Sequence, residues 1–117
     1  MKRLLFIYNL HSGKGLIRNH LADIIDTFNK AGYETVVYST QERADATRIA
    51  KELGAAYDLV VCSGGDGTLS EVLDGVMTID EKRRPKIGYI PAGSTNDYAY
   101  SLGLPSQMKR CANVIAE

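Results

Sequence analysis

The sequence predicts an α/β protein: a three-layer, doubly wound, mainly parallel sheet with helices on both faces. Two observations carry this. Short apolar runs alternate along the chain with stretches whose apolar residues recur every three or four positions, which is how strands and amphipathic helices read. Strand–helix repetition closes into a parallel sheet, because each strand needs a crossover before the next can run in the same direction. At 117 residues the chain holds one domain with a real core, hardly two.

Arg3 to Tyr8 is short, aromatic and branched, a buried first strand. The polar loop Asn9 to Gly15 follows. Leu21, Ile24, Ile25 and Phe28 then mark a first helix, stopped at Lys30-Ala31-Gly32. Glu34 to Ser39 is the second strand, with Thr40 at its end. Ala46, Ile49, Ala50 and Leu53 mark a second helix closed by Gly54. Asp58 to Cys62 is the third strand, with Cys62 ending it, and Leu69, Val72, Leu73, Val76 and Met77 mark the third helix. The charged run Thr78 to Arg84 reads as a solvated loop before a fourth strand, Lys86 to Ile90. A polar turn, Pro91 to Asp97, leads into a short helix over Asn96 to Leu102, broken by Gly103-Leu104-Pro105. Met108, Cys111, Ala112 and Ile115 form a last helical stripe.

The bulk numbers narrow the function classes. Formal net charge is zero, which argues against a broad nucleic-acid footprint. Cys62 and Cys111 form neither a CxxC pair nor a disulfide framework, so they read as reduced structural thiols in a cytoplasmic protein. The apolar start is broken by Asn9 and His11, with no small-residue cleavage site after it, so it is a strand and not a signal peptide. No run reaches transmembrane length, and any membrane contact is expected to be peripheral and transient.

In a doubly wound sheet, ligands bind at the carboxyl ends of the strands. Four polar loops fall there: after Tyr8, Ser39, Cys62 and Ile90. The first offers Asn9, Ser12 and Gly13, with Lys14 beside them; it is not a Walker A loop, and an ordinary glycine turn is the competing reading. His11 has no second histidine close by and reads as a loop side chain. Thr40 suits a base or ribose, or a helix cap. The third loop, Ser63-Gly64-Gly65-Asp66-Gly67-Thr68, lies between a strand and a helix, where backbone N–H groups freed by glycine meet phosphate. Thr68 and Glu71 are spaced as a capping box. Asp66 serves no packing between two glycines. A carboxylate facing phosphate is repulsive unless it orients a Mg²⁺-bound water or takes a proton, so Asp66 is the candidate for chemistry. In the fourth loop Ser94 and Thr95 are phosphate contacts or helix caps.

Together these residues resemble the catalytic-domain family of diacylglycerol kinases. The matching features are Gly64-Gly65-Asp66-Gly67-Thr68 followed by Glu71-Val72, Asn9-x-x-Ser12-Gly13 upstream, and Pro91-x-Gly93-Ser94-x-Asn96-Asp97 downstream. Sphingosine kinases and NAD kinases are relatives; the glycine loop is shared with NAD kinases, and the downstream run favours the lipid-kinase branch. The resemblance implies ATP and Mg²⁺, and transfer of the γ-phosphate to a lipid hydroxyl, with diacylglycerol giving phosphatidic acid. A sphingoid base or NAD as acceptor, or a nucleotide sensor without turnover, are the alternatives. By motif match, the nucleotide contacts are Asn9, Leu10, His11, Ser12, Gly13, Thr40, Gly64, Gly65, Asp66, Gly67, Thr68, Leu69, Ser70, Glu71 and Ser94. Asp66 is the catalytic and metal candidate. Leu10 stands where the family usually has proline. The resemblance also implies a second, mostly β domain carrying the lipid pocket, further metal ligands and the main base. The expectation is therefore a nucleotide-binding domain, inactive alone, that meets its lipid at a membrane surface. Pairing of exposed strand edges into a homodimer is a further expectation.

Overall fold

The computed structural model describes residues 2–9 and 16–91. Four strands, β1 (Lys2–Tyr8), β2 (Tyr33–Ser39), β3 (Leu59–Gly64) and β4 (Lys86–Pro91), form one parallel sheet in the order β2-β1-β3-β4. Three helices connect them: α1 (Leu16–Lys30), α2 (Asp45–Leu53) and α3 (Asp66–Val76). The short helix expected over Asn96 to Leu102 and the last helical stripe of Met108, Cys111, Ala112 and Ile115 lie outside the described residues.

The two-residue period of the strands divides the core into two layers. Leu4, Phe6, Tyr8, Leu59, Val61 and Ile90 pack with Ile24 and Phe28 of α1 on one face. Leu5, Ile7, Val60 and Cys62 pack with Ala46, Ile49 and Ala50 of α2 and with Val72 and Val76 of α3 on the other. Helices therefore cover both faces, and β1 and β3 are buried on both sides. Phe6 and Phe28 are fully buried and meet edge to face, with ring centroids 5.9 Å apart. Each is worth roughly 2–3 kcal/mol by burial. On the opposite face α2 and α3 approach closely because Gly75 has no side chain: a Cβ there would lie against the Thr47 carbonyl oxygen and 2.8 Å from the Ala50 Cβ. Thr47 Oγ1 donates to the Glu71 carbonyl at 2.9 Å across the same contact.

Three expectations are corrected. Cys62 does not end β3, which runs on through Ser63 and Gly64, still paired with Ile90 and Pro91. The third helix starts at Asp66, three residues before its first apolar position. The charged run 78–84 is more ordered than a solvated loop. Ile79 is buried, Glu81–Arg83 forms a 3₁₀ turn, and Arg84 donates to the Ile79 carbonyl at 2.9 Å and the Met77 carbonyl at 3.1 Å. These carbonyls lie just past the end of α3, so the cation also faces the negative end of that helix. The first helix does stop at Gly32, which takes φ 96°. Gly54 is different: it keeps helical angles, and its lack of a side chain admits Ile79 Cδ1, which would be 3.0 Å from a Cβ.

Candidate nucleotide site at the switch point of the sheet

The chain leaves β1 toward β2 on one side and leaves β3 toward β4 on the other. The strand order therefore reverses between β1 and β3, the point where open α/β sheets bind ligands. Backbone hydrogen bonds tie this edge together. The Asn9 N–H donates to the Ser63 carbonyl at 3.1 Å, and the Thr40 N–H donates to the Tyr8 carbonyl at 2.9 Å. Thr40 Oγ1 also donates to the Tyr8 carbonyl, at 3.3 Å. While it donates there, the lone pairs of the hydroxyl are left to accept from a ligand.

The glycine stretch is tighter than a loop. Gly64 is the last residue of β3, Asp66 the first of α3, and Gly65 alone lies between, in extended conformation as the N-cap. The glycines there differ in physical reason. A Cβ on Gly64 would sit 2.5 Å from Thr68 Oγ1 and 2.9 Å from Thr68 Cβ, so the strand end and the helix start touch through it. The Tyr89 hydroxyl fixes the same residue from β4, donating to the Gly64 carbonyl at 2.8 Å. A Cβ on Gly65 or Gly67 would meet no described residue within 4 Å. Among the described residues, no side chain caps the start of α3. A helix start without a cap presents N–H donors and the positive end of the peptide dipoles.

The capping box predicted for Thr68 and Glu71 is not formed. The cap is Gly65, and Thr68 lies inside the first turn, its own N–H bonded to the Gly65 carbonyl at 3.1 Å. Thr68 is buried, packed against Gly64. The helix starts early because the chain turns at a single glycine, and this moves Thr68 from the cap to the third helical position.

A cleft of about 300 Å³ opens beside this turn, lined by Asn9, Thr40, Gln41, Glu42, Arg43, Ala46, Thr68 and Glu71. Four of the sequence-predicted residues, Asn9, Thr40, Thr68 and Glu71, thus meet in one place. Leu69 turns into the core packed by α2 and α3, and Ser70 is exposed; neither lines the cleft. Leu10, His11, Ser12, Gly13 and Ser94 lie outside the described residues. So does the side chain of Asp66, whose backbone opens α3.

The wall formed by residues 41–43 and the two residues that brace the site, Tyr89 and Asp45, were not singled out in the sequence. The rule that all carboxyl-end loops converge already pointed to the stretch after β2; the glycines elsewhere drew attention from it. Asp45 Oδ2 accepts from the Gln41 N–H at 2.7 Å and from the Glu42 N–H at 3.1 Å, and Asp45 is only 9% exposed. The Gln41 N–H holds this carboxyl below its ordinary value against the opposing effect of burial, helped by the Glu42 N–H and by Arg48 at 3.6 Å. Between these donors and Asp45, Ala44 takes the left-handed conformation at φ 72°. Cys62 lies below the site, fully buried, and burial pushes its thiol up to about 12, which makes it inert at neutral pH.

Comparison with known proteins follows this geometry. The family model of the diacylglycerol kinase catalytic domain matches residues 3–117. Among curated relatives, a diacylglycerol kinase of Bacillus subtilis is 44% identical over 108 residues, covering 92% of this chain and 35% of the relative. One from Staphylococcus epidermidis is 44% identical over 117 residues, covering 99% of this chain and 36% of the relative. The crystal structure of a diacylglycerol kinase from Bacillus anthracis superposes with a TM-score of 0.80 at 30% identity, covering 98% of this chain and 42% of that one. The chain spans about a third of the length of the curated relatives it matches.

Proposed function

The chain belongs to the diacylglycerol kinase catalytic domain family, and on that premise we propose that it is the nucleotide-binding part of an ATP-dependent lipid kinase. The reaction is transfer of the γ-phosphate of ATP to the free hydroxyl of diacylglycerol, giving phosphatidic acid. One observation supports this most: a helix start with no side-chain cap and no contact over Gly65 and Gly67 among the described residues, beside a cleft lined by Asn9, Thr40, Thr68 and Glu71.

In this reading the phosphates lie over the Gly65–Gly67 backbone, where first-turn N–H groups donate to their oxygens. The nucleoside end enters the cleft. Thr40, an acceptor toward ligands, takes a hydrogen bond from a ribose hydroxyl or the adenine amino group, and the Glu71 carboxylate accepts from a ribose hydroxyl. Leu10, His11, Ser12, Gly13 and Ser94 join the nucleotide contacts by motif match. Tyr89 and Thr68 hold the turn so that its donors are in place before the nucleotide arrives, and preorganisation of this kind is most of what phosphoryl transfer asks of a protein. Asp66 accepts a proton or orients the reacting groups.

Magnesium accompanies the nucleotide and neutralises charge on the transferred group. Among the described residues, no group of three His, Cys, Asp or Glu side chains gathers to hold a metal ion. They therefore form no protein-only cage, and the fit is to an ion carried on phosphate oxygens with one or two carboxylates. Asp66 is the candidate carboxylate. No helix among the described residues is long and apolar enough to cross a membrane. The lipid is met at a membrane surface from the cytoplasmic side, with most acceptor contacts supplied from outside this chain. The outer edges of β2 and β4, the outermost of the described strands, are the surfaces through which two copies would pair.

The test is phosphoryl transfer from labelled ATP to diacylglycerol in mixed micelles by the enzyme that contains this chain, with Asp66→Asn beside it. Labelled phosphatidic acid is expected, and Asp66→Asn should lower kcat by about 100-fold with little change in the KM for ATP. Transfer only to a sphingoid base or NAD would contradict the substrate, and full activity in the variant would contradict the role of Asp66.

A further inference from the structure

We propose that Asp45 is a positioning residue of the nucleotide site, fixing the 41–43 wall in the shape that meets the nucleoside end of ATP. The inference rests on the nucleotide reading above and goes beyond it, because Asp45 does not line the cleft. Its role would be exerted through the backbone.

One oxygen, Oδ2, receives two consecutive N–H groups, at 2.7 and 3.1 Å. Charge-assisted bonds of this kind are about twice as strong as neutral ones. The Asp45 N–H donates back to the Glu42 carbonyl at 3.2 Å, closing the turn from the other side. Arg48 approaches Asp45 Oδ1 at 3.6 Å and Glu52 at 3.5 Å, so the carboxylate is itself held. Ala44 sits at φ 72° within this turn, a conformation that an alanine keeps only where its surroundings over-determine it. All three residues of the braced turn, Gln41, Glu42 and Arg43, line the cleft. Among the described residues that line it, the cleft carries the carboxylates of Glu42 and Glu71 against one cation, Arg43. That balance disfavours a triphosphate and suits hydroxyl donors, so the wall serves the ribose and base while the phosphates lie at α3. A loop ordered before binding costs less to order during it.

The experiment compares wild type, Asp45→Ala and Asp45→Asn by calorimetric titration with ATP and, separately, with tripolyphosphate. The alanine variant should bind ATP about tenfold more weakly and tripolyphosphate as wild type does. The asparagine variant, whose amide oxygen can accept the same two N–H groups, should recover most of the loss. Asp45→Ser, polar but too short to reach Gln41, gives the same contrast if the alanine variant does not fold. In the complete enzyme the loss should appear in the KM for ATP and leave kcat unchanged. Equal ATP affinity in Asp45→Ala and wild type would overturn the inference, and so would equal losses for ATP and tripolyphosphate. If wild type bound neither ligand, the nucleotide reading itself would fall, and this inference with it.

Discussion

The two walls of the cleft reach the same sheet edge by different means. On the α3 side the backbone is held by contact: Gly64 lets Thr68 pack against the strand end, and the Tyr89 hydroxyl ties down the Gly64 carbonyl. On the α2 side it is held by charge: one carboxylate gathers two N–H groups around an alanine in left-handed conformation. Neither helix start carries a side-chain cap among the described residues. The packed wall offers glycine backbone at its helix start, which suits an anion. The charged wall ties up the Gln41 and Glu42 N–H groups on Asp45 and presents side chains, which suits a neutral, hydroxyl-rich group. The two walls are therefore not interchangeable, although both lie at the same edge.

The contact that joins the walls is where the largest effect is expected. Gly75→Ala places a Cβ against the backbone of α2 at Thr47 and Lys51, which cannot yield as a side chain would. We expect about 3 kcal/mol of destabilisation, read from urea unfolding, and weakened binding to both walls at once. A change under 0.5 kcal/mol would show that α2 and α3 slide freely and that the walls are not coupled. Tyr89→Phe separates the walls. It leaves the Gly64 carbonyl without its hydroxyl donor, at a cost of about 1–2 kcal/mol. Tripolyphosphate affinity should fall while the 41–43 wall is unaffected.

Acid acts on the other wall. The folded-state value of Asp45 lies below the ordinary 3.8. The unfolded chain therefore takes up the proton first as pH falls. Stability from this group is fully present above about pH 4, and is lost as pH drops through the folded-state value. Urea midpoints measured from pH 6 to 2.5 should fall less steeply for Asp45→Asn than for wild type, whereas Tyr89→Phe should keep the wild-type acid limb. The smallest effect is expected for Ala44→Gly. Relief of the left-handed alanine outweighs the extra freedom of glycine in the unfolded chain, giving a gain of about 0.5 kcal/mol. A loss of stability would show that the Ala44 methyl makes contacts worth more than its strain.

Much of this was legible in the sequence. The strand runs and helix stripes have periods that solvent and packing enforce, so the layers and their order follow directly. The glycine turn was legible because three glycines in four residues have few other uses. Its exact geometry was not. Whether Thr68 caps or enters the helix depends on where the chain turns, and the turn is set by the fit of Gly64 against Thr68, a contact between backbone and side chain that no periodicity reports. Asp45 was hidden for a similar reason. It reads as an ordinary acidic residue at a helix start, and only the fold back to Gln41 and Glu42 gives it two donors. Arg84 was read as solvated because its run is charged, yet the carbonyls of Met77 and Ile79, just past the end of α3, draw it in.

The central claim is that ATP binds across both walls with its phosphates at the start of α3. An amide chemical-shift titration of the labelled chain with ATP tests it directly. The account predicts saturable shifts at Gly65, Gly67, Asn9, Thr40 and Gln41, with tripolyphosphate reproducing only those at Gly65 and Gly67. Saturable shifts confined to other parts of the sheet, or none at Gly65 and Gly67, would contradict it.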